Sequence, residues 1–196
     1  MMNQPVELPG IRIITVSGRI ASGSTTLAKN LAKTLGWKHL EGGEIFWEAI
    51  RSKLGCDPKD TNKRADIQDQ EFDDYLKNLL ETEKNIVLET KLAGFNAQEI
   101  NGIYKILVVC NDYGIDQTAV RIDRLVNREK MSITEAKEEV LEREKNDLEK
   151  WRRMYAKGDL KWVYWDEKYY DLVLNTFIHD KEESLSLALE VIRKKS

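Results

Sequence analysis

Apolar residues follow two alternating patterns along this chain: short continuous runs, and stretches with helical spacing. The runs predict buried strands at residues 11–16, 85–89, 103–110 and 171–175, and a short segment at 38–40 is a further candidate strand. Apolar side chains three or four positions apart predict helices at residues 24–35, 44–54 and 66–80. Buried strands joined by helical crossovers form parallel sheets covered on both faces. The pattern therefore predicts a three-layer α/β fold with a central parallel five-stranded sheet.

The connection between the first strand and the first helix has the spacing of a phosphate-binding loop, or P-loop. Gly18 and Gly23 are separated by four residues, and the helix opens directly after them. Glycines allow backbone N–H groups to curl around an anion, and the N-terminus of the helix adds partial positive charge. The residues expected to hold nucleotide phosphates are Gly18, Arg19, Ser22, Gly23, Ser24, Thr25 and Thr26.

One position of this loop departs from the P-loop pattern. Ser24 stands where a lysine normally neutralises the β- and γ-phosphates. The backbone cradle is retained, but its usual cation is absent. Arg19, inside the loop, is a candidate to replace that lysine from a different direction.

Residues 114–158 break the alternation of strands and helices, because they contain no predicted strand and are dense in charge. Helices are predicted at 119–128 and 133–155, and Ser132 with Glu135 forms a capping box at the start of the second. Each helix gathers charged side chains on one face, namely Arg121, Arg124 and Arg128 on the first and Arg143, Asp147 and Lys150 on the second. One interpretation is a solvated hairpin laced with salt bridges, and the other is a lid that closes on phosphates.

Composition narrows the possible partners. The formal net charge of −3 over 196 residues gives no basic surface for nucleic acid. Residues 1–10 have no signal-peptide pattern, and no apolar run approaches the length of a membrane span. Cys56 and Cys110 are isolated thiols without metal-ligand spacing. A cytoplasmic protein without nucleic-acid or membrane partners is expected.

The order of motifs resembles the nucleoside monophosphate kinases and, among them, the archaeal-type cytidylate kinases, from Ile11 to about Thr176. Residues 41–47, EGGEIFW, are similar to that family's SAGDIFR, and residues 87–94, VLETKLAG, are similar to VIEGRLSG. Further similar segments are 120–129, which enters the lid, and 132–136, 142–144 and 170–176. The order and spacing of these segments carry the resemblance, because no single one is decisive.

The resemblance implies phosphoryl transfer from ATP to CMP or dCMP with Mg²⁺. It implies a tail at residues 1–10 and one kinase domain at 11–196, with monophosphate-binding helices within 41–82 and a helical lid at 119–158. A monomer or weak dimer is expected. Such catalysis consists mainly of positioning and charge neutralisation.

The same resemblance assigns roles to individual residues. Catalytic roles in the lid fall to Arg128, Arg143 and Lys150, while Arg124 lies against the ATP base. The monophosphate is met by Gly43, Trp47, Lys91 and Asp147, with Lys91 on its phosphate. Asp147 and Lys150 are expected to meet a phosphate or each other. Magnesium is expected near the Thr25 hydroxyl and Glu89.

Several family cations are replaced in this chain, and the replacements leave three hypotheses open. Ser24 is the first of these replacements. Two more are Trp47 and Lys91, which stand where the family has arginines that hold the acceptor phosphate. Lys150 matches another family arginine. The hypotheses are a cytidylate kinase-like enzyme, a kinase of the same fold with a different acceptor, and a non-catalytic nucleotide-binding regulator.

Overall fold

A computed structural model describes residues 4–45 and 65–195 of the chain. Five parallel strands form the central sheet, in the spatial order β2-β3-β1-β4-β7. They are β1 (Ile13–Gly18), β2 (Lys38–Glu41), β3 (Ile86–Glu89), β4 (Ile103–Val109) and β7 (Leu172–Asn175). The predicted parallel five-stranded sheet is confirmed, and each predicted strand overlaps an observed one.

Helices cover the sheet and extend from it. Their bounds are α1 (Ser24–Leu35), α2 (Asp66–Thr82), α3 (Ala93–Asn96), α4 (Thr118–Glu129), α5 (Ile133–Lys137), α6 (Glu144–Tyr155) and α7 (Lys181–Lys195). Residues 42–45 are also helical, whereas the rest of the helix predicted at 44–54 lies outside the described residues. Within the described ranges, no helix is both long and apolar enough to cross a bilayer.

The central strand β1 separates two hydrophobic cores, because its side chains alternate between the two faces of the sheet. Ile14 and Val16 pack in one core with α1 and α7, and Ile13 packs in the other with α2 and α3. All three are fully buried. Burial of one such side chain contributes about 1.5–3 kcal/mol. Burial on both faces therefore anchors β1, the strand that leads into the P-loop.

Helix α1 has the predicted bounds, whereas α7 was not predicted. Helix α1 ends at Gly36, which has φ 66° and donates its N–H to Ala32 O. Before α7, Asp180 accepts hydrogen bonds from the Glu182 and Glu183 N–H groups, and the Glu183 carboxylate accepts one from Asp180 N. This capping box was a readable signal in the sequence.

The segment predicted to lack strands contains part of a small hairpin, so that expectation is wrong. Strand β5 (Asn111–Asp112) pairs antiparallel with β6 (Ile115–Asp116). Tyr113 and Gly114 between them both have positive φ, which is the geometry of a tight hairpin turn. The hairpin leads into α4 and brings the Asp116 carboxylate to the P-loop.

The helix predicted at 133–155 is interrupted, because a π-helical turn (Glu138–Arg143) separates α5 from α6. A π turn inserts an extra residue and shifts the phase of the helix after it. Val140 packs in a small core with Ala136, while α6 buries a charged face whose members are Glu144, Asp147 and Lys150. Residues 133–155 are therefore not a solvated helix along this face.

Candidate active site: a P-loop beneath a charged lid helix

The P-loop connects the end of β1 to the start of α1, and its two glycines are required by space. Gly23 has φ 108°, and a Cβ there would lie 3.2 Å from Thr176 Cγ2. A Cβ on Gly18 would lie 2.8 Å from the Val108 carbonyl oxygen. The loop closes with a hydrogen bond from Ser22 N to Arg19 O at 3.0 Å. The backbone thus forms the predicted strand–loop–helix cradle.

Ser24, in the lysine position, is directed toward the end of β3. Its hydroxyl donates to Glu89 Oε1 at 2.9 Å. Burial raises the pKa of the Glu89 carboxyl to about 7, and the hydrogen bonds from Ser24 and Thr25 oppose this shift. At neutral pH the ligand-free Glu89 carboxyl is therefore poised between its neutral and charged forms.

The two residues predicted near magnesium, Thr25 and Glu89, lie together. The Glu89 carboxyl is hydrogen-bonded by Thr25 as well as by Ser24. Across the described parts of the chain, no three His, Cys, Asp or Glu side chains cluster in a way that could hold a metal. One hydroxyl and one carboxylate fit Mg²⁺, which usually retains several waters and takes phosphate oxygens as ligands.

A pocket of about 390 Å³ opens beside the P-loop, and its walls include Gly23, Thr26, Arg124, Arg128, Thr176 and His179. Three of these residues, Gly23, Thr26 and Arg124, were predicted to bind ATP, and Arg128 was predicted to act in catalysis. Arg128 is on the surface, where it donates to Thr26 Oγ1 at 3.3 Å and to Glu129.

Arg124 lines this pocket and is hydrogen-bonded to the P-loop. Its Nη1 donates to Ser22 O at 3.0 Å and to Thr176 Oγ1 at 2.9 Å, and its Nη2 donates to Thr176 O at 2.7 Å. Thr176 Oγ1 in turn donates to Ser22 O at 2.5 Å. Arg124 therefore joins the P-loop to the segment after β7, in addition to lining the predicted base pocket.

A buried ion cluster joins the lid to the first residues of the P-loop. Arg19 Nε donates to Glu144 Oε1 at 2.9 Å, and its Nη1 lies 3.1 Å from Asp116 Oδ1. Arg121 is fully buried; it lies 3.0 Å from Glu144 Oε2 and 2.9 Å from Asp116 Oδ2. Glu144 also accepts from Ile20 N at 3.3 Å. The solvated-hairpin interpretation does not hold for Arg121, since two carboxylates hold it in the interior.

Two lysines with predicted roles, Lys91 and Lys150, are each paired with a carboxylate. Lys91 donates to Asp147, and burial lowers the pKa of Lys91 while Asp147 opposes that shift. Lys150, with only 4 % of its side chain exposed, forms an ion pair with Asp69 of α2. Of the predicted lid residues, Arg143 pairs along its own helix with Glu139 at 2.7 Å.

Further polar contacts connect α2 to the lid and to α3. Asp73 accepts from Asn96 Nδ2 at 2.8 Å and from the Tyr155 hydroxyl, and burial raises the pKa of its carboxyl. Of the predicted monophosphate-binding residues, Gly43 is exposed, whereas Trp47 lies outside the described residues.

Sequence reasoning missed four carboxylates of this site: Asp69, Asp73, Asp116 and Glu144. A spacing signal existed for three of them. Asp69 and Asp73 are four residues apart and share a helical face. Glu144 is three residues before Asp147, which is three before Lys150. Their partners could not be read in this way, since Arg19 and Glu144 are 125 positions apart.

The fold and the loop define a class, the P-loop kinases. A shikimate kinase from Acinetobacter baumannii, solved with shikimate, superposes with a TM-score of 0.61 at 15% sequence identity, covering 95% of each chain. That likeness shows the fold alone. No family model matches the chain.

The sequence relatives define the family. A cytidylate kinase from Haloarcula marismortui is 33% identical over 187 residues, covering 94% of this chain and 91% of the relative. A cytidylate kinase from Natronomonas pharaonis is 35% identical over 167 residues, covering 84% and 80%. The chain belongs to the cytidylate kinase family.

Proposed function

We propose that this protein transfers the γ-phosphoryl group of ATP to CMP or dCMP, with Mg²⁺ as cofactor. The observation that carries the proposal is the charged face of α6. Glu144 contacts the P-loop arginine, Arg19, and Asp147 contacts the proposed acceptor lysine, Lys91. Lys150 contacts helix α2. One helix thus spans the donor loop and the acceptor side, as transfer between two bound nucleotides requires.

On the donor side, backbone N–H groups of the P-loop and the start of α1 bind the phosphates of ATP. The base of ATP occupies the pocket beside Arg124, and Arg128 lies near the phosphates. The Thr25 hydroxyl and the Glu89 carboxylate would hold Mg²⁺, directly or through a water. Bound magnesium neutralises charge on the phosphate oxygens.

On the acceptor side, Lys91 binds the phosphate of the monophosphate, and the family resemblance gives Gly43 and Trp47 roles in binding the same nucleotide. Asp147 holds the Lys91 ammonium until a phosphate arrives. A lysine supplies one full charge but not the bidentate fork of an arginine. Affinity for the acceptor therefore depends more on the lid, where the partly exposed Arg143 contributes positive charge. The protein acts in the cytoplasm as a monomer or weak dimer.

The test is phosphoryl transfer from ATP to a panel of monophosphates: CMP, dCMP, UMP and AMP. We expect CMP or dCMP to give the highest kcat/KM. Lys91→Ala is expected to raise the KM for the monophosphate at least tenfold while leaving the Kd for ATP unchanged. Faster phosphorylation of AMP or of a non-nucleotide hydroxyl would favour a kinase with a different acceptor. Binding of ATP without transfer to any acceptor would favour a regulatory protein.

A further inference from the structure

Arg19 is the single charged residue in the loop sequence 18–25. In P-loops generally, a lysine near the end of the loop reaches the β- and γ-phosphates. Here that position is Ser24, whose hydroxyl is directed to Glu89. Another donor is therefore needed if the phosphates are to be neutralised from within the loop.

Arg19 is held in place on three sides. Its Nε and Nη2 both donate to Glu144 Oε1, and its Nη1 lies 3.1 Å from Asp116 Oδ1. The guanidinium carbon lies 4.5 Å from the centre of the Trp165 ring. A guanidinium has five N–H donors, so these contacts leave two for a further acceptor.

The two arginines of this cluster differ in accessibility. Arg121 is fully buried and is shared between Glu144 and Asp116, whereas the Arg19 side chain is 24 % exposed. Two arginines balance two carboxylates, so the cluster is neutral. Of the two arginines, Arg19 is the one that a ligand can reach. It offers N–H donors that its carboxylate partners already hold in position.

We propose that Arg19 takes over the role of the absent P-loop lysine, donating to the nucleotide phosphates, and that Glu144 is the positioning residue that holds it there. This inference rests on the proposed phosphoryl transfer, since it assigns a residue of that same site. Glu144 directly follows Arg143 in the chain. The residue that orients Arg19 is therefore adjacent to the arginine proposed to act on the transferred phosphoryl group.

The first test removes the Arg19 side chain and includes a control for the change in charge of the cluster. Arg19→Ala should lower kcat at least tenfold and raise the Kd for ATP at least fivefold by calorimetry. In that variant the two carboxylates, Asp116 and Glu144, are balanced by Arg121 alone. The double variant Arg19→Ala Asp116→Asn restores the charge balance and serves as the control. The double variant should remain impaired, because the donor is still missing. Full recovery in the double variant would overturn the proposal, since charge imbalance alone would then explain the loss.

The second test is rescue. Ser24→Lys introduced into Arg19→Ala should raise kcat at least fivefold over that of the Arg19→Ala single variant. A purely structural arginine would not be rescued from the other end of the loop. A folded Arg19→Ala Ser24→Lys protein without recovery, its fold checked by thermal denaturation, contradicts the proposal.

The third test concerns Glu144. Glu144→Gln should lower kcat, because a neutral amide holds the guanidinium more weakly than a carboxylate. A rise in kcat or in ATP affinity would show instead that the carboxylate competes with phosphate for Arg19, which overturns the positioning role. If the native protein phosphorylates no monophosphate, the proposed function fails, and the ATP affinities of the same variants still decide the role of Arg19.

Discussion

At the scale of single residues, the Glu89 carboxyl carries a pH dependence of stability. Its pKa rises from 4.5 in an unfolded chain to about 7 in the folded protein, mainly through burial. Between these values the folded protein binds more protons than the unfolded chain, so stability falls as the pH rises and levels off above pH 7. At about 1.4 kcal/mol per pKa unit, the fall between pH 5 and pH 8 is about 2 kcal/mol.

Glu89→Gln is expected to remove this part of the pH dependence, because an amide does not titrate. The measurement is the free energy of unfolding of the ligand-free protein by urea at pH 5 and at pH 8. The native protein should lose about 2 kcal/mol more than the variant over this interval. Equal losses in the two proteins would show that Glu89 titrates in the ordinary range.

Arg143→Ala is expected to affect turnover rather than folding. The Arg143 side chain forms one ion pair on its own helix, at 2.7 Å from Glu139, and such partly exposed pairs contribute at most about 1 kcal/mol. The transfer rate should fall at least tenfold, since the cation that we propose near the transferred phosphoryl group is lost. Arg153→Ala, on the exposed side of α6, is the matched control and should change the rate less than twofold. A loss of stability with an unchanged rate would make Arg143 a structural residue.

The site shows which kinds of residue a single sequence can identify. Gly18, Gly23 and Thr25 were identifiable because backbone geometry ties the P-loop to local spacing. The partners of Arg19 and Lys91 were not, because ion pairs between distant segments depend on how the lid packs on the sheet. The sequence therefore predicted candidate cations, and the structure supplies the carboxylates that hold them.

At the scale of elements, the helices and strands with a clear local sequence pattern were predicted accurately, and those without one were missed. Helix α1 was predicted to the residue because a buried apolar face and Gly36 both mark it. The π turn within 133–155 was not predicted, since the extra residue serves a tertiary requirement, the burial of α6's charged face. The β5–β6 hairpin was missed because its strands have only two residues each.

The contact between α2 and α6 gives a prediction at this scale. Lys150 is almost fully buried and pairs with Asp69, which is also buried, and it lies 3.8 Å from the exposed Asp66. Asp69→Asn should lower the free energy of unfolding by about 3 kcal/mol, because a buried ammonium loses its main partner. Asp66→Asn, which alters the same lysine's exposed neighbour, should cost less than about 1 kcal/mol. Urea denaturation of both variants checks this, and equal effects would contradict it.

At the scale of the whole molecule, α6 connects the two proposed substrate sites. Glu144 at its first turn holds the P-loop arginine, and Asp147, one turn later, holds the proposed acceptor lysine. We expect phosphates bound on the two sides to favour the same position of α6, because each replaces or extends a contact of this one helix. Such a shared preference gives positive coupling between the ligands.

We therefore expect ADP and CMP, which cannot react with each other, to strengthen each other's binding. With Mg²⁺ present, saturating ADP should lower the Kd for CMP at least threefold by calorimetry, and CMP should lower the Kd for ADP by the same factor. Glu144→Gln should reduce this factor, since it weakens the link between α6 and Arg19, whereas Arg153→Ala should leave it unchanged. Independent binding of the two nucleotides in the native protein would show that α6 is already fixed before either arrives.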